Sequence, residues 1–371
     1  MGTVNKAGIL ARACGACPHD GRHYNTFHEL HFVTRLKTIE HIMKRWKKQQ
    51  KIVCIGHLPD WVIEKFFSDI QVIFIEESSR SDLLSSLDQE VIGIVARGSA
   101  LIDSEVIQAA PNLQVIARTG AGYNTVDVEA ASLRKIPVLY TPGAMSRAVA
   151  EHTVGLILAA AKDLRGWHQR VLEGAWQERY RRLNLDLEGA TLGIVGLGSI
   201  GRQVWHLLQN FDLTILVTDP YLEPSDFAQE RLRSVPLTEL LENSDIVTLH
   251  APLKDETRSL INAANIENFK PGAILINAAR GELVESYDVL YSALESGRLS
   301  FVALDTLISE PPDLAHPIFH HPKVLFSGHS AARTIRAQER MFRTLGEDMK
   351  AVLQGKKPRR ENVVNPQVIG A

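Results

Sequence analysis

One hexapeptide, Gly196-Leu197-Gly198-Ser199-Ile200-Gly201, constrains this chain more than any other stretch, because of what flanks it. The apolar run Ala190–Val195 before it reads as a buried strand. Val204, Leu207, Leu208 and Phe211 after it give a helical pattern, and Leu213–Thr218 reads as a second strand that ends in Asp219. Strand, glycine turn, helix, strand and acid in this order are the parts of a dinucleotide site. In such a site Gly196 makes the turn, Gly198 lets the backbone approach a pyrophosphate, and Gly201 lets the helix pack close to the strand. The N–H groups of Ser199 and Ile200 at the helix start face the phosphate charge. Asp219, with Pro220 behind it, is expected to accept hydrogen bonds from the ribose hydroxyls and to repel a 2′-phosphate, which favours NAD over NADP. The plain alternative is a glycine-rich turn. The flanking strands, and an acid 18 residues past Gly201, argue for the nucleotide.

The 371 residues are enough for two domains of ordinary size, and 45% apolar with 23% charged residues is the balance of a globular protein. A net charge of −2 gives no reason to expect nucleic acid as a partner. The longest apolar run, Val154–Ala161, stops at Lys162 and cannot span a bilayer, so no membrane partner is expected. Cys14, Cys17 and Cys54 are too few for a disulfide framework, which points to a reducing, cytoplasmic setting. The N-terminus lacks the apolar segment of a signal peptide.

Residues 1–50 read as an extension. Thr26-Phe27-His28-Glu29 has the form of a capping box, and Leu30, Val33, Leu36, Met43 and Trp46 fall near helical spacing beside a basic cluster from Lys44 to Lys51. Met43 offers an alternative start. Cys14 and Cys17, near His19 and His23, invite a zinc reading, but the spacing is irregular and no metal is expected. From residue 51 short apolar strands alternate with helices: Lys51–Ile55, Val72–Ile75, Ile92–Ala96, Val115–Ala117 and Val138–Tyr140, with helices such as Trp61–Phe67 and Ser104–Ala110 between them. Such alternation predicts a parallel sheet covered on both faces. Pro142-Gly143 breaks the chain, and a long helix is predicted from Ser146 to about Leu172. A second block has strands Thr191–Val195, Leu213–Thr218, Ile246–His250, Ala273–Asn277, Phe301–Leu304 and Val324–Phe326. A helix from about Thr334 to Leu353 follows.

Polar residues stand where these later strands end, at the edge where open α/β sheets bind ligands. His250 leads into Ala251-Pro252, Asn277 into Ala278-Ala279-Arg280-Gly281, Leu304 into Asp305 with Glu310-Pro311 beyond, and Phe326 into Ser327-Gly328-His329. These residue types suit hydride exchange with a small hydroxy acid. An arginine clamps a carboxylate and polarises a carbonyl. A histidine takes the hydroxyl proton and returns it in reverse. A carboxylate such as Glu310 fixes the imidazole tautomer and stabilises its cation. Asp305 fits a contact with the nicotinamide or its carboxamide. Each residue alone has a plainer reading, as a solvated arginine or one of fourteen histidines; their placement at consecutive strand ends carries the argument.

These residues resemble those of the D-isomer-specific 2-hydroxyacid dehydrogenases over about residues 51–366. Gly196–Gly201 with Asp219 is similar to that family's cofactor turn and acid, Asn277-Ala278-Ala279-Arg280-Gly281 to its N-x-x-R-G motif, Leu304-Asp305 through Glu310-Pro311 to its L-D-x-x-x-x-E-P segment, and Gly328-His329-Ser330-Ala331 to its histidine motif. Arg118–Asp127 resembles the family's R-x-G-x-G-x-x-x-V-D loop. Val149-Ala150-Glu151-His152 resembles its V-A-E-H helix, which in the family lies at the domain hinge and dimer contact. Ala96-Arg97-Gly98-Ser99 matches the loop whose amides hold the substrate carboxylate. Two departures stand out: Gly328 where the family usually has Pro, and Asn124-Thr125 for its usual Asp-Asn.

The resemblance implies an NAD-binding Rossmann domain at 143–328, inserted into a flavodoxin-like substrate domain at 51–142 and 329–371. Both are doubly wound parallel sheets, and the resemblance also implies a homodimer. It implies catalytic roles for Arg280, Glu310 and His329. Cofactor contacts fall to the glycine turn, Asp219, Pro220, Ala251, Pro252, Asn277, Ala278, Ala279, Arg280, Asp305 and His329. Substrate contacts fall to Arg97, Gly98, Ser99, Gly120, Ala121, Gly122 and Arg280. The expected activity is NAD-linked interconversion of a D-2-hydroxy acid and a 2-keto acid, with 3-phosphoglycerate the leading substrate. Arg97 or Arg118 is a candidate for a phosphate contact, unless held in a structural ion pair, and His57 also stands near the substrate edge. An NAD-sensing corepressor on the same fold is the alternative, and a formate dehydrogenase is disfavoured because that branch has Gln where Glu310 stands. The chain ends soon after Pro366, so no appended regulatory domain is expected.

Overall fold

Strands of two to six residues, most of them β-branched and leucine-rich runs, form two parallel sheets in the computed structural model, which describes residues 50–76, 79–98, 100–222 and 232–370. The Thr26–Glu29 box, the helix after it, Met43, Cys14, Cys17, His19, His23 and the substrate-loop Ser99 lie outside these residues.

The first sheet contains β1 (Lys51–Ile55), β2 (Gln71–Ile75), β3 (Val91–Ala96), β4 (Val115–Arg118) and β5 (Val138–Leu139). Its order, β2-β1-β3-β4-β5, is the flavodoxin-like one. Four helices connect its strands: α1 (Asp60–Phe66), α2 (Arg80–Ser86), α3 (Ser104–Ala109) and α4 (Val128–Leu133). Alternation along the strands covers both faces. Val53, Ile55, Ile94 and Ile116 meet Leu83, Val106 and Ala131 on one side. Ile52, Cys54, Val95 and Val115 meet Val62 and Phe66 on the other. Each fully buried aliphatic of this kind contributes about 2 kcal/mol.

Beyond β5 come α5 (Ser146–Ala161) and α6 (Leu164–Leu172), where a single helix to Leu172 is the expectation from sequence. The break has a local cause. Asp163 sits at φ +45°, its carboxylate accepts from Gly166 N at 3.2 Å, and it pairs with Arg170 Nη1 at 2.7 Å, so one helix stops and another starts.

The second sheet contains β6 (Thr191–Val195), β7 (Thr214–Thr218), β8 (Arg233–Ser234), β9 (Ile246–Leu249), β10 (Ala273–Asn277), β11 (Leu299–Leu304) and β12 (Val324–Phe326), in the order β12-β11-β10-β9-β6-β7-β8. The order reverses between β6 and β9, the switch point where a doubly wound sheet opens its ligand crevice. Helices α7 (Ser199–Leu208), α8 (Leu237–Asn243) and α9 (Tyr287–Glu295) connect its strands. Helix α7 ends before Phe211, which the helical pattern includes and which is 37% exposed. Helices α5 and α7 cover one face through Leu156, Ile157, Val204 and Leu208; α8 and α9 cover the other through Leu240, Leu290 and Leu294. The chain then returns to the first sheet. Helix α10 (Ile335–Leu353), capped by Thr334, buries Met341, Leu345 and Met349 against Ile52, Val95 and Val115. Asn365 finishes the return, with Val138 N donating to its Oδ1 at 2.8 Å. The fold is thus a Rossmann-type unit inserted into a flavodoxin-like one. Among the described residues no helix is long and apolar enough to cross a membrane.

Candidate active site

The glycine turn follows β6. Gly196 has φ +93°, and a Cβ there would stand 2.8 Å from Ala251 N, so Ala251 backs the turn rather than lying open to it. A Cβ on Gly201 would collide with Gly196 O, which is why α7 sits so close to the strand. At Gly198 no atom lies within 4 Å of the Cβ position, so this side of the backbone is open. Leu197 N donates to Asp219 Oδ2 at 2.9 Å and Tyr221 N to Asp219 Oδ1 at 3.0 Å, which holds the carboxylate beside the turn. Two glycines made obligatory by contact, one facing open space, first-turn N–H groups without intrahelical partners and an anchored acid fit a dinucleotide. Lys254 Nζ, 3.1 Å from Tyr221 Oη, and His250 border the same edge. Burial pushes the His250 imidazole down to about 4, so it is neutral there.

Strand ends β10, β11 and β12 bring Arg280, Glu310 and His329 together. His329 Nδ1 lies 2.7 Å from Glu310 Oε2, and Leu307 N donates to Glu310 Oε1 at 3.0 Å. A carboxylate only accepts, so Nδ1 carries the proton and Nε2 is left for other work. The Glu310 hydrogen bond raises the His329 pKa against the opposing effect of burial, and the charges of Glu310 and Asp305 add to the rise. Burial alone would raise the Glu310 pKa. The bonds from His329 and Leu307, and the charges of His329 and Arg280, outweigh it and hold the carboxyl below its usual range. Arg280 acts on both partners electrostatically, and its Nη1 donates to Ala279 O at 2.7 Å. Its other end fills the space left by the missing side chain of Gly122. Across the cleft, Gly120 N donates to Thr141 Oγ1 at 3.1 Å, and Ala121 is exposed.

Several of the expected site residues also hold the surrounding loops in place. Asn277 is fully buried; its Nδ2 donates to Arg280 O at 2.8 Å and its Oδ1 accepts from Ala279 N at 3.1 Å, so it shapes the arginine loop. Asp305 is 1% exposed, and its carboxylate accepts from Ser327 Oγ at 2.6 Å, Ser330 N at 2.9 Å and Ala331 N at 3.2 Å. Ala278 packs with Val149 and Ala331, while Pro220 is exposed and Pro252 O accepts from Thr257 Oγ1 at 2.6 Å. Arg118 donates to the carbonyls of Ala96, Thr119 and Gly98, which braces the Arg97–Gly98 loop from behind. Arg97 donates to His57 O at 2.6 Å and lies over the Phe342 ring. His152 and Ser327, given no role by their spacing, meet beside Asp305. The only sequence signal for Ser327 is its place two residues before His329 at a strand end.

Residues 154–331 match the family model of the D-isomer specific 2-hydroxyacid dehydrogenase NAD-binding domain. A glyoxylate reductase of Thermofilum pendens is 36% identical over 297 residues, 78% of this chain and 86% of that protein. A D-3-phosphoglycerate dehydrogenase of Archaeoglobus fulgidus is 35% identical over 277 residues, 75% of this chain and 52% of that protein. Among solved structures, the TT0316 protein of Thermus thermophilus superposes with a TM-score of 0.75 at 32% identity, covering 85% of this chain and all of that one. The chain belongs to the D-isomer specific 2-hydroxyacid dehydrogenase family, and its second sheet is that family's NAD-binding domain. It spans about half the length of the phosphoglycerate dehydrogenases it matches.

Proposed function

We propose that the protein is an NAD-linked dehydrogenase that interconverts a D-2-hydroxy acid and a 2-keto acid. The observation that carries this reading is the 2.7 Å contact between His329 Nδ1 and Glu310, with Arg280 beside it, at the edge that also carries the open glycine turn. NAD, when bound, exchanges a hydride with the substrate carbon. The Arg280 guanidinium clamps the substrate carboxylate and polarises the carbonyl. His329 Nε2 takes the hydroxyl proton during oxidation and returns it during reduction, and Glu310 fixes the tautomer and favours the cation. The glycine turn and Asp219 hold the cofactor, and the loops at Arg97–Gly98 and Gly120–Gly122 hold the acid. In this reading residues 51–142 and 329–371 form the substrate-binding half and 143–328 the cofactor half.

Phosphoglycerate leads as substrate. The support is Arg97, which gives its hydrogen bond to the His57 carbonyl and not to a carboxylate, and the phosphoglycerate dehydrogenases among the relatives. We also read the protein as a homodimer and, from its few cysteines, as cytoplasmic. The test is NADH turnover across a panel containing 3-phosphoglycerate, glycolate and other hydroxy acids. His329→Ala should lose turnover about a hundredfold or more while NADH still binds. Undiminished turnover in that variant, or no turnover of any acid by the native chain, would sink the reading.

A further inference from the structure

Helix α5 touches both parts of the reacting arrangement. Near its start, Ser146 Oγ lies 2.9 Å from Ser199 Oγ, on the first turn of the helix that opens at the glycine turn. Six residues later, His152 Nε2 lies 2.9 Å from Ser327 Oγ. Six residues of α-helix rise about 9 Å. Ser327 Oγ in turn lies 2.6 Å from Asp305 Oδ1. A hydroxyl has a single proton, and the carboxylate takes it, so His152 Nε2 must be the donor to Ser327. The Asp305 carboxylate also accepts from Ser330 N at 2.9 Å and Ala331 N at 3.2 Å, and its backbone carbonyl accepts from His329 N at 2.5 Å. Through Asp305, hydrogen bonds therefore link α5 to the backbone of the loop that carries His329.

The loop needs such support. Gly328 has φ +62°, a value that a proline ring forbids, so the residue usual in the family cannot occupy this position as the loop is laid here. His329 follows at φ +52°, also left-handed, and a side chain rarely stays there unless its surroundings hold it. No atom lies within 4 Å of the Gly328 Cβ position, so packing at that residue does not supply the support.

We propose that His152 and Ser327 are positioning residues, which together with Ser146 make α5 a spacer that sets where the His329 imidazole stands relative to the cofactor turn. The inference rests on the dehydrogenase reading for its purpose, but its first test does not. In 15N NMR of the full chain, His152 should be the Nε2–H tautomer, and Ser327→Ala or His152→Ala should shift the His329 resonances. His329 resonances unchanged in both variants would overturn the proposal. The second test uses NADH and glyoxylate. In Ser327→Ala, kcat should fall about tenfold or more, as displacement of a reacting group by a fraction of an ångström does. The KM for glyoxylate and the Kd for NADH should stay within about twofold, and the isotope effect from deuterated NADH should rise. Ser327→Thr and His152→Gln, which keep a hydroxyl and a donor, should recover most of the rate and guard against loss of folding. The Ser327→Ala/His152→Ala double variant should be no worse than the poorer single one. Multiplying losses, or NADH affinity falling in step with kcat, would refute the spacer role. If only His329→Ala abolishes turnover, the dehydrogenase reading survives and the spacer does not.

Discussion

Gly122 has no side chain, and Arg280 Nη2 occupies the place where one would stand. The guanidinium is the far end of a flexible side chain, so Gly122→Ala should leave the fold intact and displace the clamp. We expect kcat/KM for the hydroxy acid to fall about tenfold to a hundredfold with NADH affinity and melting temperature nearly unchanged. Steady-state kinetics beside NADH titration checks this, and a parallel loss of NADH affinity would show that the glycine serves the cofactor turn. Glu310 governs a second observable. Its bond raises the His329 pKa above the ordinary imidazole value, so the protonated form needed for reduction persists to higher pH than in a free imidazole. Reduction should therefore fall, and oxidation rise, as pH increases through that raised value. Glu310→Gln removes the negative charge and should move both limbs to lower pH. The pH profiles of kcat/KM in the two directions test the sign. Gly281, by contrast, is a packing constraint: a Cβ there would collide with the Leu307 carbonyl, just ahead of the loop that carries Glu310.

Between α5 and α6 one aspartate decides where helices begin and end. Asp163 adopts φ +45°, which aspartate tolerates better than most residues, caps Gly166 N and pairs with a largely buried Arg170. Asp163→Ala should cost about 1–2 kcal/mol, from the lost cap and the unsupported backbone. Asp163→Asn keeps the cap and should cost less; equal losses in urea unfolding would put the energy in the Arg170 pair instead. This break is hidden in the sequence because apolar spacing continues across Lys162 and a capping side chain has no periodicity. Strands β6, β10 and β12 were legible to the residue, since buried parallel strands read as apolar runs bounded by turns. The glycine turn was legible because its steric demands are local: Gly196 and Gly201 are constrained by atoms at the turn itself and at the adjoining strand end. The hold that Asp305 and Asn277 have on the loops was not. Both stand at strand ends beside the crevice, and only the tertiary fold shows that their polar atoms bond to the loops there. Helix α10 was legible because Thr334 and its apolar stripe mark it, though which sheet it covers depends on how the chain returns.

At the scale of the molecule, two sheets are joined by the segment before α5 and the segment before α10, and the residues after α5 stand apart in one respect. From α6 onward Leu164 is 57% exposed, Val171 53%, Leu172 69%, Trp176 58%, Tyr180 73% and Leu183 99%. Single exposed apolar residues are ordinary on a protein surface, but six large ones on one short stretch are left exposed among the described residues. Their burial in an interface would be worth about 25 cal/mol for each Å² of apolar surface covered. The homodimer proposed above should close over this stretch, with two-fold symmetry placing the same residues on both sides. The native chain should then sediment at twice its chain mass at micromolar concentration. Replacing Leu172 and Trp176 together by Asp should yield monomers, because two desolvated carboxylates on each side of a symmetric contact cost more than such an interface returns. Sedimentation velocity of the two proteins decides the matter: a double variant that remains dimeric would place the contact elsewhere, and a monomeric native chain would remove the dimer altogether.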